Sequence, residues 1–279
     1  MDISAGIVLY NPDTDRLKEN INAIINQCTH IYLIDNGSDN INNISDLLEE
    51  YNDLKITVIY NQKNMGIASA LNQLTEAAKK DNFNWMLTLD QDSVSPLNII
   101  KEFKKYTNKN NVGMLCPVIC DRNKDKIIKA EEGYIEVKEC ITSGSLLNIN
   151  AWDEIGGFDD NMFIDGVDFD ICYRLRQASY RILCVQSVVL LHELGHIEYH
   201  RFLFWKVIVK NHSAFRKYYI ARNIIYIARK RKSLFLIFKG ILQEIKLIGI
   251  AILYESDKFN KINRIFAGIC DGFRCKVGK

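Results

Sequence analysis

The chain has 279 residues, of which 48% are hydrophobic and 25% charged, with 3 prolines and 15 glycines. This composition excludes a disordered or low-complexity protein, and the length suffices for one large domain or a domain with an appendage. The net charge of +2 hides an asymmetry, because residues 1–199 hold 18 basic and 30 acidic residues (net −12) whereas residues 200–279 hold 18 and 4 (net +14).

The chain begins MDISAGIVLYNP, with an acid at position 2 and an apolar stretch that stops at Tyr10. A signal peptide requires a basic start, so we expect a first strand here and a cytoplasmic protein. Asn11 and Pro12 then predict the N-cap and first turn of a helix. The eight cysteines lack CxxC spacing and mostly lie in apolar stretches. We expect reduced core thiols, without disulfides or a cysteine zinc site.

Short stretches rich in isoleucine and valine alternate with helical stretches over the first hundred residues. This alternation predicts an α/β fold with a parallel sheet flanked by helices. A further helix is predicted to start at Pro96. Shorter paired strands with a charged turn at 121–125 predict mixed or antiparallel pieces over 112–137. The predicted strands are 3–10, 31–34, 56–60, 85–89, one that ends at 149, and 181–191.

Acidic residues recur where predicted strands or helices meet loops: Asp35 with Asp39, Asp90 with Asp92, and Asp165 with Asp168 and Asp170. Any one of these clusters alone is typical of a solvated turn or a helix cap. Ligands of open α/β sheets bind at the carboxyl ends of strands, where these clusters are predicted to lie. Asp90 and Asp92 suit a Mg²⁺ or Mn²⁺ ion that bridges diphosphate oxygens. Asp168 suits a general base for a hydroxyl, provided that neighbouring acids and partial burial raise its proton affinity.

Seven segments of the chain occur in the order seen in bacterial family-two glycosyltransferases. They are VLYNP at 8–12, IDNGS at 34–38, NMGIASALN at 64–72, LDQDS at 89–93, TSGSLL at 142–147, GFDDNMFIDGVDFDICYRLR at 157–176 and HSAFRKYYIARN at 212–223. Among these enzymes the chain most resembles the rhamnosyltransferases of surface-polysaccharide assembly, over nearly its whole length. The resemblance implies a GT-A fold, a Rossmann-like mixed sheet flanked by helices, and an inverting single displacement from a nucleotide-diphosphate sugar.

The resemblance also implies roles for individual residues of the donor site. Asp35 would bind the nucleotide base, in a pocket lined by backbone near Leu9 and Tyr10. Two further pairs are implied to complete the donor site: Asn64 and Gly66 beside the nucleotide, and Asp90 and Gln91 facing the ribose or sugar. The metal, Mg²⁺ or Mn²⁺, would be held by Asp92, with His192 completing the metal or diphosphate site. Arg222 would approach phosphate.

Asp168 matches the second position of the family's acidic pair, which is the usual base. The first position is Val167 here instead of an acid, so Asp165 and Asp170 stay alternative bases. The implied donor is dTDP-rhamnose, with UDP-galactose and UDP-glucose as alternatives. The implied acceptor is a saccharide on polyprenyl diphosphate, in the synthesis of O-antigen, capsule or another surface polysaccharide.

Two other functions compete with this interpretation. Residues 192–196, HELGH, fit the HExxH signature of zinc proteases, in which two histidines of one helix bind zinc. The preceding residues are β-branched and Gly195 weakens a helix, so the pattern favours a strand end instead. The atypical Val167 leaves a binding-only scaffold as a second alternative.

Residues 1–200 are the predicted catalytic domain, and residues 201–279 are predicted to form a helical extension rich in aromatic and basic residues. This composition suits an anionic lipid surface, and we expect a peripheral protein on the inner face of the bacterial cell membrane. Packing on the catalytic domain or on a second subunit is the alternative. Residues 233–254 carry Lys239, Glu244 and Lys246, which argue against a spanning helix. No nucleic-acid-binding module is recognised, and no nucleic-acid partner is expected.

Overall fold

The computed structural model describes residues 2–51, 55–121, 131–192, 198–202 and 205–277. The chain forms two compact units. The first comprises Met1–Asp160 and Asp168–Glu193, and the second comprises Asn161–Val167 and Leu194–Lys279. The chain therefore passes between the units three times, and a short piece from within the predicted catalytic domain belongs to the second unit.

The first unit contains an eight-stranded mixed sheet in the order β3-β2-β1-β4-β7-β5-β8-β6. Strands β1 to β4 are parallel, while β7 is antiparallel to both of its neighbours and β6 is antiparallel to β8. This confirms the predicted mixed α/β sheet. The strands are β1 Ile3–Leu9, β2 His30–Asp35, β3 Ile56–Tyr60, β4 Trp85–Asp90, β5 Val112–Asp121, β6 Tyr134–Glu136, β7 Ser145–Asn148 and β8 Arg181–His192.

Helices of the first unit cover this sheet with apolar faces. Along the first helix, Leu17, Ile21 and Ile24 are fully buried, and their spacing places them on one side of the helix. Every residue of β1 is buried, as expected for a central parallel strand. The helices are α1 Thr14–Ile24, α2 Ile41–Glu49, α3 Ile67–Lys80, α4 Ile99–Lys104, α5 Ile149–Glu154 and α6 Val167–Gln177, whose first residue belongs to the second unit.

Two predicted helix starts are wrong. Helix α1 begins after Asp13, whose carboxylate accepts hydrogen bonds from the amides of Asp15 and Arg16 at 3.0 and 3.1 Å. Asn11 instead has a left-handed backbone with φ 47°, which an N-cap does not adopt. Helix α4 begins at Ile99 rather than at Pro96.

The second unit contains an antiparallel hairpin and three helices. The strands are β9 Glu198–Phe202 and β10 Trp205–Val209, and the helices are α7 Ala214–Lys230, α8 Leu234–Tyr254 and α9 Lys258–Arg274. The predicted helix from residue 201 is therefore wrong up to Val209, because the β-branched and aromatic residues of this stretch form a strand pair. Among the described residues, no helix has the length and apolar character needed to cross a membrane.

The core of the second unit buries charged side chains. Glu255 accepts hydrogen bonds from the ammonium groups of Lys217 and Lys261 at 2.7 and 3.0 Å, and all three residues are at most 5% exposed. Glu244 of α8 is 2% exposed, and neither of its carboxylate oxygens has a hydrogen-bond partner among the residues that the structure describes. Burial raises the pKa of Glu244 to about 7.

None of the eight cysteines, all of which the structure describes, forms a disulfide; Cys270 is exposed and the others are buried or half-buried. Two predicted features lie outside the described residues: the charged turn, beyond the backbone of Asp121, and residues 193–196 of the HExxH segment. His192, the first residue of that segment, is the last residue of strand β8.

Candidate active site

The carboxyl ends of three parallel strands meet at one edge of the sheet. Leu9 is in register with Asp35, and Val8 with Asp90. Just beyond the strands, the amide of Tyr10 donates to Gln91 Oε1 at 2.8 Å, and Gln91 Nε2 donates to the carbonyl of Tyr10 at 3.3 Å. Gln91 therefore ties the loop after β1 to the loop after β4, and these predicted donor-site residues lie together.

Asp35 shapes the turn that follows β2. Its side chain is buried, and its carboxylate oxygens accept hydrogen bonds from the amides of Gly37 and Ser38 at 3.3 Å. These bonds form an Asx-type turn, in which a carboxylate satisfies backbone donors within its own loop. The contact of Asp35 with a nucleotide base stays a prediction.

Asn36 connects three loops of this edge and was missed by the sequence analysis. Its amide donates to the carbonyl of Leu9 at 2.8 Å. Its side-chain Oδ1 accepts from the amide of Met65 at 3.0 Å and from Asn61 Nδ2 at 3.1 Å. Its Nδ2 donates to Asn64 Oδ1 at 3.1 Å. Asn36 lies in the quoted IDNGS segment, but a turn residue was the ordinary interpretation of an Asn before Gly.

Asn64 and Gly66 form the entry to helix α3. Asn64 Oδ1 accepts from the amide of Gly66 at 2.9 Å. Gly66 has a φ of 85°, a left-handed conformation that glycine adopts without strain. The predicted pair therefore lies in a turn that Asn36 holds against the end of β2.

Two adjacent residues connect the β4 loop to helix α6. Ser143 Oγ accepts from the amide of Asp90 at 3.1 Å and pairs with Ser93 Oγ at 2.8 Å. Thr142 donates to Asp168 Oδ1 from its amide at 3.1 Å and from its hydroxyl at 2.7 Å. The predicted base is therefore held through residues 142 and 143 to the predicted diphosphate loop. Neither Thr142 nor Ser143 was singled out from the sequence, although both lie in the quoted TSGSLL segment.

The two alternative bases are each bonded to an arginine. Asp170 is 1% exposed and accepts from Arg174 Nε at 2.7 Å. Asp165 belongs to the second unit, where Arg216 Nη2 lies 2.8 Å from its Oδ1. Asp168 instead accepts hydrogen bonds from Thr142, and residues 142 and 143 connect it to the donor edge.

The carboxylate of Asp92 is exposed beyond β4 and makes no hydrogen bond within the described part of the chain. Among the residues the structure describes, no group of three or more His, Cys, Asp or Glu side chains forms a metal cage. Mg²⁺ is commonly held by one or two carboxylates together with substrate phosphates, so Asp92 near Asp90 fits such an ion. The side chain of His192 lies outside the described residues.

Arg222 lies in the second unit. Its guanidinium donates to the carbonyl of Asn161 and to Asn223 Oδ1, and stands 4.7 Å from the ring centre of Tyr219. Its predicted contact with phosphate stays a prediction.

Residues 4–158, more than half of the chain, match Glycosyl transferase family 2. The chain belongs to this family. It is similar to the dTDP-rhamnosyl transferase RfbF of Shigella flexneri, with 24% identity over 99% of this chain and 97% of that protein. The protein is therefore a glycosyltransferase with a rhamnosyltransferase among its relatives.

Solved structures agree on the fold. The mannosyltransferase PcManGT from Pyrobaculum calidifontis, in complex with GDP-Man and Mn²⁺, matches with a TM-score of 0.60 and 15% identity over 99% of this chain and 76% of that one. S. aureus TarS 1–349, in complex with UDP-GlcNAc, matches with a TM-score of 0.62 and 12% identity over 98% of this chain and 81% of that one. GalNAc-T7 with UDP, GalNAc and Mn²⁺ matches with a TM-score of 0.60 and 16% identity over 83% of this chain and 50% of that one. The fold is GT-A.

Proposed function

We propose that this glycosyltransferase moves rhamnose from dTDP-rhamnose to a hydroxyl group of a saccharide carried on polyprenyl diphosphate. The observation that carries the proposal is the connection of Asp168 to the donor edge through Thr142 and Ser143. The choice of rhamnose is supported by the similarity to RfbF, a dTDP-rhamnosyl transferase that this chain matches over nearly its whole length. UDP-galactose and UDP-glucose are the alternative donors. The product would enter O-antigen, capsule or another cell-surface polysaccharide.

In this reaction Asp168 takes the proton from the acceptor hydroxyl while the oxygen attacks the anomeric carbon. The bond to the nucleotide diphosphate breaks on the opposite face, so the anomeric configuration inverts. Leu9, Tyr10 and Asp35 would hold the nucleotide, and Asn64, Gly66, Asp90 and Gln91 would complete the donor site. A Mg²⁺ or Mn²⁺ ion held by Asp92, with His192 as a further ligand, would offset the charge of the departing diphosphate.

Donor identity is tested by isothermal titration of dTDP-rhamnose, UDP-galactose, UDP-glucose, dTDP and UDP, each with and without Mn²⁺. We expect Mn²⁺-dependent binding that favours dTDP-rhamnose and is lost in Asp92→Ala. The matched control is Asp153→Ala, which removes an exposed carboxylate paired with Lys79 at the other end of α3. Preference for a UDP-sugar would reject rhamnose, and full binding or transfer in chelator would reject the metal.

The role of Asp168 is tested by Asp168→Asn, assayed for transfer with a lipid-linked acceptor. We expect transfer to fall by about 10²–10⁴-fold while donor affinity is retained, because the amide cannot take a proton. An active Asp168→Asn enzyme would exclude this base. The HExxH alternative is tested beside it, since Glu193→Gln should leave transfer largely intact.

A peripheral membrane location is supported by exposed apolar side chains of the second unit. Large apolar side chains at helical spacing are exposed along α8, together with one at the start of α9: Leu234 84%, Phe235 72%, Phe238 62%, Ile245 60% and Phe259 79%. Exposed lysines accompany them at positions 239 and 246. An apolar helix face with adjacent cations is typical of helices that lie in the plane of an anionic membrane.

Membrane binding is tested by sedimentation with phosphatidylglycerol vesicles at low and high salt. Phe235→Ser with Phe238→Ser should reduce binding, whereas Leu97→Ser, which removes an 84% exposed leucine from the first unit, should not. Failure of the unmodified protein to bind at low salt would reject this location. Light scattering of the free protein distinguishes the alternative, in which a second subunit covers the same face.

A further inference from the structure

The segment Asn161–Val167 is held by side chains of helix α7 within the second unit. Asn223 Nδ2 donates to the backbone carbonyls of Ile164 and Asp165 at 2.8 and 2.7 Å. Arg222, the neighbouring residue, donates to Asn223 Oδ1 at 3.0 and 2.9 Å from two of its nitrogens. These bonds fix the orientation of the Asn223 amide, so that its two donors face the segment.

Arg216, which lies about two turns before Asn223 on helix α7, binds the same segment. Its Nε and Nη2 donate to the two carboxylate oxygens of Asp165 at 3.0 and 2.8 Å, a bidentate arrangement that fixes both groups in one plane. Asp165 and Gly166 have left-handed backbones, with φ of 65° and 82°. A methyl group at Gly166 would lie 2.9 Å from Met162 and 3.1 Å from Ile227 of α7. The segment is therefore both strained and closely packed.

Aromatic contacts complete this attachment. The ring of Phe163 stacks on Tyr219 of α7 at 4.9 Å between centres, with an interplanar angle of 18°. It also meets Phe215 edge-on at 5.9 Å. Side chains from two turns of α7 thus contact three features of the segment: the ring of Phe163, the carboxylate of Asp165, and the backbone carbonyls of residues 164 and 165.

Asp168 is the residue that directly follows this segment, and helix α6 begins at Val167. Consecutive Cα atoms are 3.8 Å apart across a trans peptide, so holding Asp165 limits where the first turn of α6 lies. We propose that Arg216 and Asn223 are positioning residues for glycosyl transfer: through Asp165 and the carbonyls of residues 164 and 165, they hold Asp168 in place. This inference rests on the proposed role of Asp168 as the base.

The inference gives Asp165 a role different from the one considered from the sequence. Asp165 is not a second base but the anchor that Arg216 binds. It also gives the RN pair at 222–223 a task within the protein, since Arg222 orients the amide that Asn223 presents to the segment.

The experiment compares Asn223→Ala, Arg216→Gln and Arg216→Lys with the unmodified protein. Tyr218→Phe is the matched control, because it removes a hydrogen bond from α7 to Asp271 without touching the segment. Two quantities are measured for each: hydrogen exchange of backbone amides 161–170 in the free protein, and kcat with KM for donor and acceptor. Arg216→Lys keeps the charge and provides a milder variant if Asn223→Ala fails to fold.

We expect faster exchange in 161–170 and a kcat lowered by about tenfold or more in Asn223→Ala and Arg216→Gln, with donor KM within twofold. Arg216→Lys should recover part of kcat, and Tyr218→Phe should leave both quantities unchanged. Unchanged exchange, or an equal loss of kcat in Tyr218→Phe, would overturn the inference. If Asp168→Asn stays active while these variants lose activity, Asp168 is not the base. The loss of activity would then come from a different group near the segment.

Discussion

Asp168 Oδ1 accepts two hydrogen bonds from Thr142, one from the backbone amide and one from the side-chain hydroxyl. The next residue, Ser143, accepts from the amide of Asp90. Two consecutive residues of one loop thus hold the proposed base and the proposed diphosphate loop. A shift of this loop would displace both groups together.

Replacing Thr142 with Val removes the hydroxyl and keeps the shape of the side chain. We expect kcat to fall by about tenfold because Asp168 loses the shorter of its two bonds and gains rotational freedom. Donor KM should stay within twofold. Thr142→Ser keeps the hydroxyl and should retain most of the activity; a loss in Thr142→Ser as large as that in Thr142→Val would show that the methyl group matters instead.

Replacing Asn36 with Ala removes a buried amide that bonds Asn61, Asn64 and the amide of Met65. The free energy of unfolding should decrease by about 2–3 kcal/mol, because buried partners lose their bonds. Donor affinity should also fall, since the turn before α3 is no longer held. Denaturant unfolding and donor titration measure the two effects. Asn61→Ala removes only one of these bonds and should cost clearly less; equal costs would contradict the central position of Asn36.

Replacing Glu244 with Gln should change how stability depends on pH. Burial raises the pKa of Glu244 from 4.5 to about 7. Between these values the folded protein binds a proton that the unfolded chain has released, so the free energy of unfolding decreases as pH rises. The free energy of unfolding should decrease by about 3 kcal/mol between pH 4.5 and 7, and this decrease should be absent in the neutral variant. Relative to wild type, Glu244→Gln should therefore gain stability from pH 4.5 to 7.

Urea unfolding at several pH values measures this difference. The control is Glu49→Gln, which changes an exposed carboxylate of α2. Parallel stability curves for wild type and Glu244→Gln would show that the carboxyl group of Glu244 is hydrated in solution.

Replacing Glu255 with Gln leaves Lys217 and Lys261 buried without a carboxylate between them. We expect the free energy of unfolding to decrease by about 3–5 kcal/mol, since breaking a buried ion group strands its remaining charges. Adding Lys261→Met to this variant removes one stranded cation and should restore part of the loss. Thermal and urea unfolding provide the values. A double variant less stable than Glu255→Gln alone would indicate that Lys261 contributes by packing.

The strands of the donor edge were predictable because their signal is local. Strand β3 has the predicted bounds, and β4 differs by one residue, since apolar stretches bounded by polar turns identify buried strands. The bonds that build the site were not predictable. Asn36 and Met65 are 29 positions apart, and Thr142 and Asp168 are 26 apart, so their contacts depend on the tertiary arrangement. The hairpin at β9 and β10 was missed because its aromatic and basic content outweighed its strand-forming residues.

The passage of the chain through both units limits how this enzyme could be recombined with its relatives. Residues 161–167 lead into helix α6, which begins at Val167, whereas the helix that binds them begins at Ala214. A chimera joined after β8 would pair the segment of one parent with the α7 of the other. An active chimera therefore requires that the short segment be exchanged together with the carboxyl-terminal part. The smallest unit that can be exchanged consists of two separate stretches of the sequence.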